Sequence, residues 1–258
     1  MTEFISNPQN WVALMQIIGI DLLLGGDNAV VIALACRGLP PHQQKKAILF
    51  GAAAAIIIRS VLTVFALYLL GIPYLKIIGS VLLVWIGIKL MLPEDGHGGE
   101  DGKFSGSGSL AAAIKTIIIA DVVMSLDNVL AVAAAAHGSM VLIVLGLLIS
   151  IPIVIFGSTL VLKLMDRYPV LITIGAALLG FVAGQMFFTD PAIKDWATQT
   201  LPYAPKIAPM ALALLVIGVG TLLKNQKQQK KVATTQSGLL DLAHPDDSDS
   251  RRDNKNTD

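Results

Sequence analysis

Residues 18–38 read IGIDLLLGGDNAVVIALACRG and residues 118–138 read IIADVVMSLDNVLAVAAAAHG. They align without a gap at an offset of 100, with identities at Ile18, Asp21, Asp27, Asn28, Ala33, Ala35 and Gly38. Further along, Phe50-Gly51 answers Leu145-Gly146, Pro73 answers Pro169 and Gly79 answers Gly175. The offset falls there to 95–96 because the loop after the fourth apolar segment is shorter. Aliphatic matches recur in any two apolar helices and carry little weight. The rare residues decide: Asp-x5-Asp-Asn stands twice, each time within a hydrophobic stretch.

The surrounding chain explains the setting. Of 258 residues, 54% are hydrophobic and 14% charged, with a mean hydropathy of +0.70, whereas soluble domains carry about 25% charged residues. This composition predicts a bilayer as solvent. Stretches able to span it, on the order of 20 residues each, fall at 11–36, 46–70, 72–92, 112–136, 140–163, 168–188 and 206–223. The expected fold is an all-α polytopic membrane bundle of about seven transmembrane helices, with no room for a soluble catalytic domain. Each repeat holds three helices, an odd number, so the second copy enters the membrane upside down. Two inverted three-helix repeats plus one C-terminal helix place a binding site near the midplane, on the pseudo-twofold axis. The expected divisions are a first repeat over 1–92, a Gly/Ser/acidic cytoplasmic linker over 93–111, and an inverted second repeat over 112–188. A loop and seventh helix over 189–224 and a disordered polar tail over 225–258 complete the chain.

Met1 to Asn10 holds no Lys or Arg, so the first helix is read as retained rather than as a cleaved signal. Arg37, Lys45, Lys46, Lys89, Lys103, Lys115, Lys163, Arg167, Lys224, Lys227, Lys230 and Lys231 collect on one side, and only Lys76, Lys194 and Lys206 on the other. The positive-inside rule then puts the N-terminus outside and the C-terminus in the cytoplasm, in an inner (plasma) membrane. Cys36 is the single cysteine, which excludes an internal disulfide and a cysteine-rich metal site. A net charge of +1 gives no reason to expect a nucleic-acid partner, and the oligomeric state is not legible.

Asp21, Asp27, Asp121 and Asp127 all fall inside spans, where each ionised Asp costs about 2.5–3.5 kcal/mol, or ~10–14 kcal/mol for four. Protons, basic side chains or a bound cation must compensate. Arg59, read as the one basic residue deep in a span and without a counterpart at Val154, cannot neutralise four carboxylates. A divalent cation together with protons is the expected answer. Asp21 and Asn28, like Asp121 and Asn128, are seven residues apart and share a helical face. Asp27 and Asp127 lie about 120° off it in a regular helix. Gly25-Gly26 permits an unwound turn that would swing Asp27 inward and free backbone carbonyls; Ser125-Leu126 leaves a second break open. Carboxylate, amide and carbonyl oxygens suit magnesium, calcium or manganese. Met124, three residues from both Asp121 and Asp127, is either a thioether ligand favouring a transition metal or packing. Arg59 is either a counter-ion for an empty site or a snorkelling or interhelical contact. His42 and His137 read as solvated loop residues, Lys89 and Lys115 as cytoplasmic-end anchors, and Pro152 as a kink. The metal-site candidates are Asp21, Asp27, Asn28, Asp121, Asp127, Asn128 and Met124.

The segments Asp21-LLLGG-Asp27-Asn28-AVVIALA and Asp121-VVMSL-Asp127-Asn128-VLAVAAA resemble the TerC/Alx family and, within it, the YjbE-type branch, over about residues 10–223. The family is named for tellurium resistance, and its better-studied members export manganese. The resemblance therefore implies a manganese exporter whose site falls on Asp21, Asp27, Asn28, Asp121, Asp127 and Asn128. Driving a divalent ion outward costs about 4.6 kcal/mol at 100 mV. No GxxxxGK[ST] motif supplies nucleotide energy, so proton exchange by alternating access is expected, with no resident cofactor. Neither HExxH nor Gly-x-Ser-x-Gly occurs, and no enzymatic activity is expected. The alternative is a membrane scaffold or biogenesis factor whose carboxyls stay protonated and bond between helices.

Overall fold

The computed structural model describes residues 8–92, 109–136 and 139–243. Most of the expected linker, His137 and the last part of the tail lie outside these residues. All regular structure among the described residues is helical. The elements are α1 (Pro8–Leu24), α2 (Gly26–Cys36), α3 (Pro41–Val64), α4 (Ala66–Leu70), α5 (Leu75–Met91), α6 (Leu110–Ala135), α7 (Met140–Arg167), α8 (Val170–Phe187), α9 (Lys194–Thr200) and α10 (Ala204–Ala243).

Local chemistry fixes the ends. Pro41 opens α3, where its missing N–H is no loss. Ser109 and Ser139 cap α6 and α7, accepting from Ala112 N–H at 3.1 Å and Leu142 N–H at 3.4 Å. Helices α3, α6, α7, α8 and the Ala204–Gln229 part of α10 are each long and apolar enough to cross a bilayer, and α1 with α2 forms a sixth span bent by 49°. Helix α5, with 17 residues, sits at the short end of the spanning range and makes the seventh. The predicted 46–70 helix is interrupted at Phe65, which separates α3 from α4. Pro152 lies within an uninterrupted α7.

One expectation is corrected at the C-terminus: α10 continues to Ala243 where polar composition suggested disorder from Asn225. The segment after Leu223 is rich in Lys and Gln, both good helix formers, and has no Pro or Gly before Gly238. A helix nucleated in the membrane therefore propagates into water without a second nucleation cost.

The packing reproduces the repeat. Helix α3 lies along α6, and α1–α2 lies along α7, which are equivalent pairings when the copies are exchanged. Helix α5 packs on its own counterpart α8. The register matches residue by residue: a methyl on Gly51 would run into Ile117, and one on the equivalent Gly146 would run into Ile17, the equivalent of Ile117. Outside the repeats, α10 leans on α8 through Gly180 and Gly184. Small residues such as Ala33, Ala47, Ala52 and Ala113 fill the interhelical core, the packing mode that serves where lipid removes the hydrophobic drive. Leu23, Ile57, Phe156 and Leu160 point outward, as lipid contact requires.

Candidate metal centre

The first motif breaks where its glycines predict. Gly25 leaves the helix at φ −105°, ψ 6°, donating its N–H to Asp21 O at 2.7 Å, while Asn28 N–H turns to Gly25 O at 3.1 Å. A Cβ at Gly25 would collide with the Asp21 carbonyl, so glycine is required. The Leu24 carbonyl instead accepts from Asn128 Nδ2 of the second motif at 3.1 Å. The break places Asp27 in the first turn of α2, where the helix dipole favours negative charge. Around Ser125-Leu126, α6 runs on without a break.

Arg59, 4% exposed, occupies the meeting point of the copies. Its Nη1 donates to Asp21 Oδ1, its Nη2 to Asp121 Oδ1 and its Nε to Ser125 Oγ at 2.9 Å. Ser125 in turn donates to Asp121 Oδ2 at 3.3 Å. Lys76 corrects the charge argument. Read from sequence as an outer-segment residue, it stands in the first turn of α5, 9% exposed, and its Nζ pairs with Asp127 and reaches Thr189 Oγ1 at 3.3 Å. Three of the four carboxylates thus have basic partners, two of them sharing one guanidinium.

What remains is concentrated at the break. Among the described residues, Asp27 Oδ1 and both side-chain polar atoms of Asn28 are buried without a hydrogen-bond partner. Asn28, Asp121 and Met124 line a small cavity of about 10 Å³ with Val31, Ile32 and Ile117. Met124 belongs equally to the apolar core beside Leu126 and Val31, so both of its readings keep a contact. Asp127, its side chain 43% exposed, pairs with a lysine that lines a recess of about 410 Å³ shared with Leu70, Leu130, Thr189, Pro191, Lys194 and Asp195. The structure therefore joins Asp21 to Asp121 through Arg59 and Asn128 to the break, and sets Asp127 apart with Lys76. Among the described residues, no three His, Cys, Asp or Glu side chains converge closely enough to hold a metal in this conformation. His42 is exposed at the start of α3, Lys89 lies over the Trp85 ring at 5.1 Å, and Lys115 is exposed.

Asp190 was not singled out from sequence. Fully buried after α8, it accepts through Oδ1 from Tyr74 N–H (2.9 Å) and Ala192 N–H (2.8 Å), and through Oδ2 from Lys76 N–H (3.0 Å) and Ile77 N–H (3.3 Å). Burial pushes its carboxyl upward, but the four backbone N–H groups outweigh it and hold the group below the usual range. It holds Tyr74 in its left-handed conformation, φ 66°, and offsets a lysine at the positive end of a helix. Its signal was an Asp-Pro pair just past a span, an Asx-turn pattern.

An inverted-repeat bundle with charged residues paired inside its apolar spans defines an integral membrane protein. The chain belongs to the integral membrane protein TerC family, whose model matches residues 6–232. It is 43% identical over 189 residues to the uncharacterized membrane protein YjbE of Bacillus subtilis (strain 168), covering 73% of this chain and 84% of that protein. It is 27% identical to the uncharacterized membrane protein YceF of the same organism (71% and 74% covered) and 25% identical to the inner membrane protein YgdQ of Escherichia coli K12 (64% and 76% covered). No solved structure matches.

Proposed function

We propose that this protein transports a divalent metal ion across the inner membrane, with manganese as the best-matched cargo, exported in exchange for protons by alternating access. The observation that carries this reading is the pair of buried, unpartnered oxygens, Asp27 Oδ1 and Asn28 Oδ1, at a helix break beside the junction of two inverted repeats. Buried polar groups are almost always satisfied, and an exception inside a membrane points to a missing partner. The charges agree: four ionised carboxylates against Arg59 and Lys76 leave two negative charges, which one divalent ion or two protons would cancel. The oxygens suit a hard cation, and Met124, which lines one cavity with Asn28 and Asp121, tilts the preference toward manganese. Asp27 keeps a buried, unpartnered oxygen while the side chain of its equivalent Asp127 is 43% exposed, so the two ends of the site differ in access, as alternating access requires. In this reading the N-terminus is outside, the C-terminus is cytoplasmic, and the chain is not an enzyme.

The scaffold reading draws on the Arg59 bridge, which also ties helices together. Purified protein in proteoliposomes decides between them. A manganese-sensitive dye should report flux that exceeds magnesium flux, responds to an imposed pH gradient and is lost in Asp27→Asn. A well-folded protein with no metal flux would end the transport reading and leave the scaffold.

A further inference from the structure

We infer that Arg59 is a tethered cation that competes with the transported ion for Asp21 and Asp121: ion binding expels the guanidinium from between them, and its return expels the ion. This deepens the transport reading and rests on it.

Asp21 and Asp121 are equivalent positions of the two copies, so the point between them lies at the pseudo-twofold axis, where an inverted-repeat transporter holds its ion. That point is filled by a side chain of this chain. Arg59 spends donors on Asp21, Asp121 and Ser125 at once, so the carboxylate oxygens facing the axis cannot also coordinate a metal. Only one cation can hold them at a time. The second copy carries Val154 at the equivalent position, so one guanidinium serves both carboxylates, as one ion would.

Arginine suits the task because it stays charged at all relevant pH values and is more weakly hydrated than lysine. The displaced guanidinium keeps its proton even in an apolar span, and so must be balanced. Two negative charges remain when all four carboxylates are ionised, so a divalent ion brings the whole cluster to zero without removing Arg59 from the membrane. The tether is short and buried: the Arg59 carbonyl is held by Thr63 Oγ1 at 2.7 Å within α3.

The test is manganese binding by calorimetry on the full-length purified protein. Arg59→Gln should bind manganese about tenfold tighter or more, since close charge pairs couple at that level, while net efflux falls. A merely structural arginine would not raise affinity when removed. Arg59→Lys, which keeps the charge, should stay within about threefold of wild type on the same scale. Ser125→Ala removes the acceptor of Nε together with the 3.3 Å donor to Asp121 Oδ2 but leaves both carboxylates, and should tighten binding about three- to tenfold, the worth of one hydrogen bond. It decides the matter should Arg59→Gln fail to fold. Unchanged or weaker affinity in Ser125→Ala, or in a folded Arg59→Gln, overturns the competition while wild-type binding leaves the transport reading standing. A wild type that binds no manganese removes both.

Discussion

Asn128 of the second repeat donates from Nδ2 to the carbonyl oxygen of Leu24, the last residue of α1, at 3.1 Å. The bond gives a partner to a carbonyl at the broken end of α1 and fastens one motif to the other. Asn128→Ala should lower stability by about 1 kcal/mol, the net worth of one such bond. Thermal unfolding of the purified protein followed by tryptophan fluorescence measures it. Asn128→Asp, which has no donor when ionised, should do no better than alanine.

The two equivalent aspartates should separate stability from transport. Asp27 Oδ1 has no hydrogen-bond partner among the described residues, so Asp27→Asn should leave unfolding within about 0.5 kcal/mol of wild type and still stop manganese flux. Asp127→Asn deprives Lys76 of its carboxylate and should destabilise the fold as well. Adding Lys76→Met should recover part of that loss, the signature of a coupled pair in a double-mutant cycle. Flux in the Asp27/Asp127 double variant should be no worse than in either single one. Two single variants with normal flux and affinity would sink the shared-site reading.

Two glycines should respond oppositely to alanine. A methyl on Gly184 would lie 2.5 Å from Pro209 Cα and 2.6 Å from the Ala208 carbonyl, backbone that cannot yield without parting α8 from α10. Gly184→Ala should cost about 1–3 kcal/mol. A methyl on Gly157 meets only Ala29 Cβ at 3.6 Å, ordinary contact, and Gly157→Ala should be neutral or gain up to about 1 kcal/mol of helix propensity. Melting temperatures of the two variants compare them directly.

Asp190 sets a pH dependence whose sign follows from its depressed folded-state pKa. Its contribution is fully present above the unfolded value of about 3.9 and is lost as pH falls below that, through the folded value. Asp190→Ala should therefore be less stable than wild type at pH 5–7, and the gap should close as the pH is lowered below about 4. A gap that instead widened on acidification would contradict the capping role.

Orientation is open to labelling from the two sides of intact cells and inverted vesicles. Cys36 is fully buried, so an impermeant thiol reagent should ignore it and report only introduced cysteines. Thr198→Cys in α9 should label from outside, and Gln228→Cys on the extension of α10 from inside. The reverse pattern would invert the proposed direction of the site.

The sequence carried the fold because its determinants are local or repeated. The Asp-Asn motifs, Gly51 with Gly146 and the long apolar runs show in one dimension what the contacts confirm in three, and Gly25 marked the break. The charge pairing was not legible. Which carboxylate meets Arg59 depends on α3 lying against α6, and Lys76 looks like a loop residue until Asp190 is seen starting α5 before it. The α10 extension was missed for a different reason: polar composition predicts disorder only for a segment that must nucleate its own helix.

Arg59 and Lys76, the two buried basic side chains among the described residues, lie in the first repeat, and Val154 and Ile172 occupy the corresponding places in the second. Their partners Asp121 and Asp127 come later in the chain. The ribosome thus delivers the basic residues before two of the acids they neutralise. When α6 enters the bilayer, its aspartates meet partners already waiting, instead of facing lipid at about 2.5–3.5 kcal/mol each. Exchanging the order of the halves would leave the pairing of Arg59 and Lys76 with these acids possible in the finished protein and remove that order of delivery during its synthesis. A duplication symmetric in shape is directional in birth.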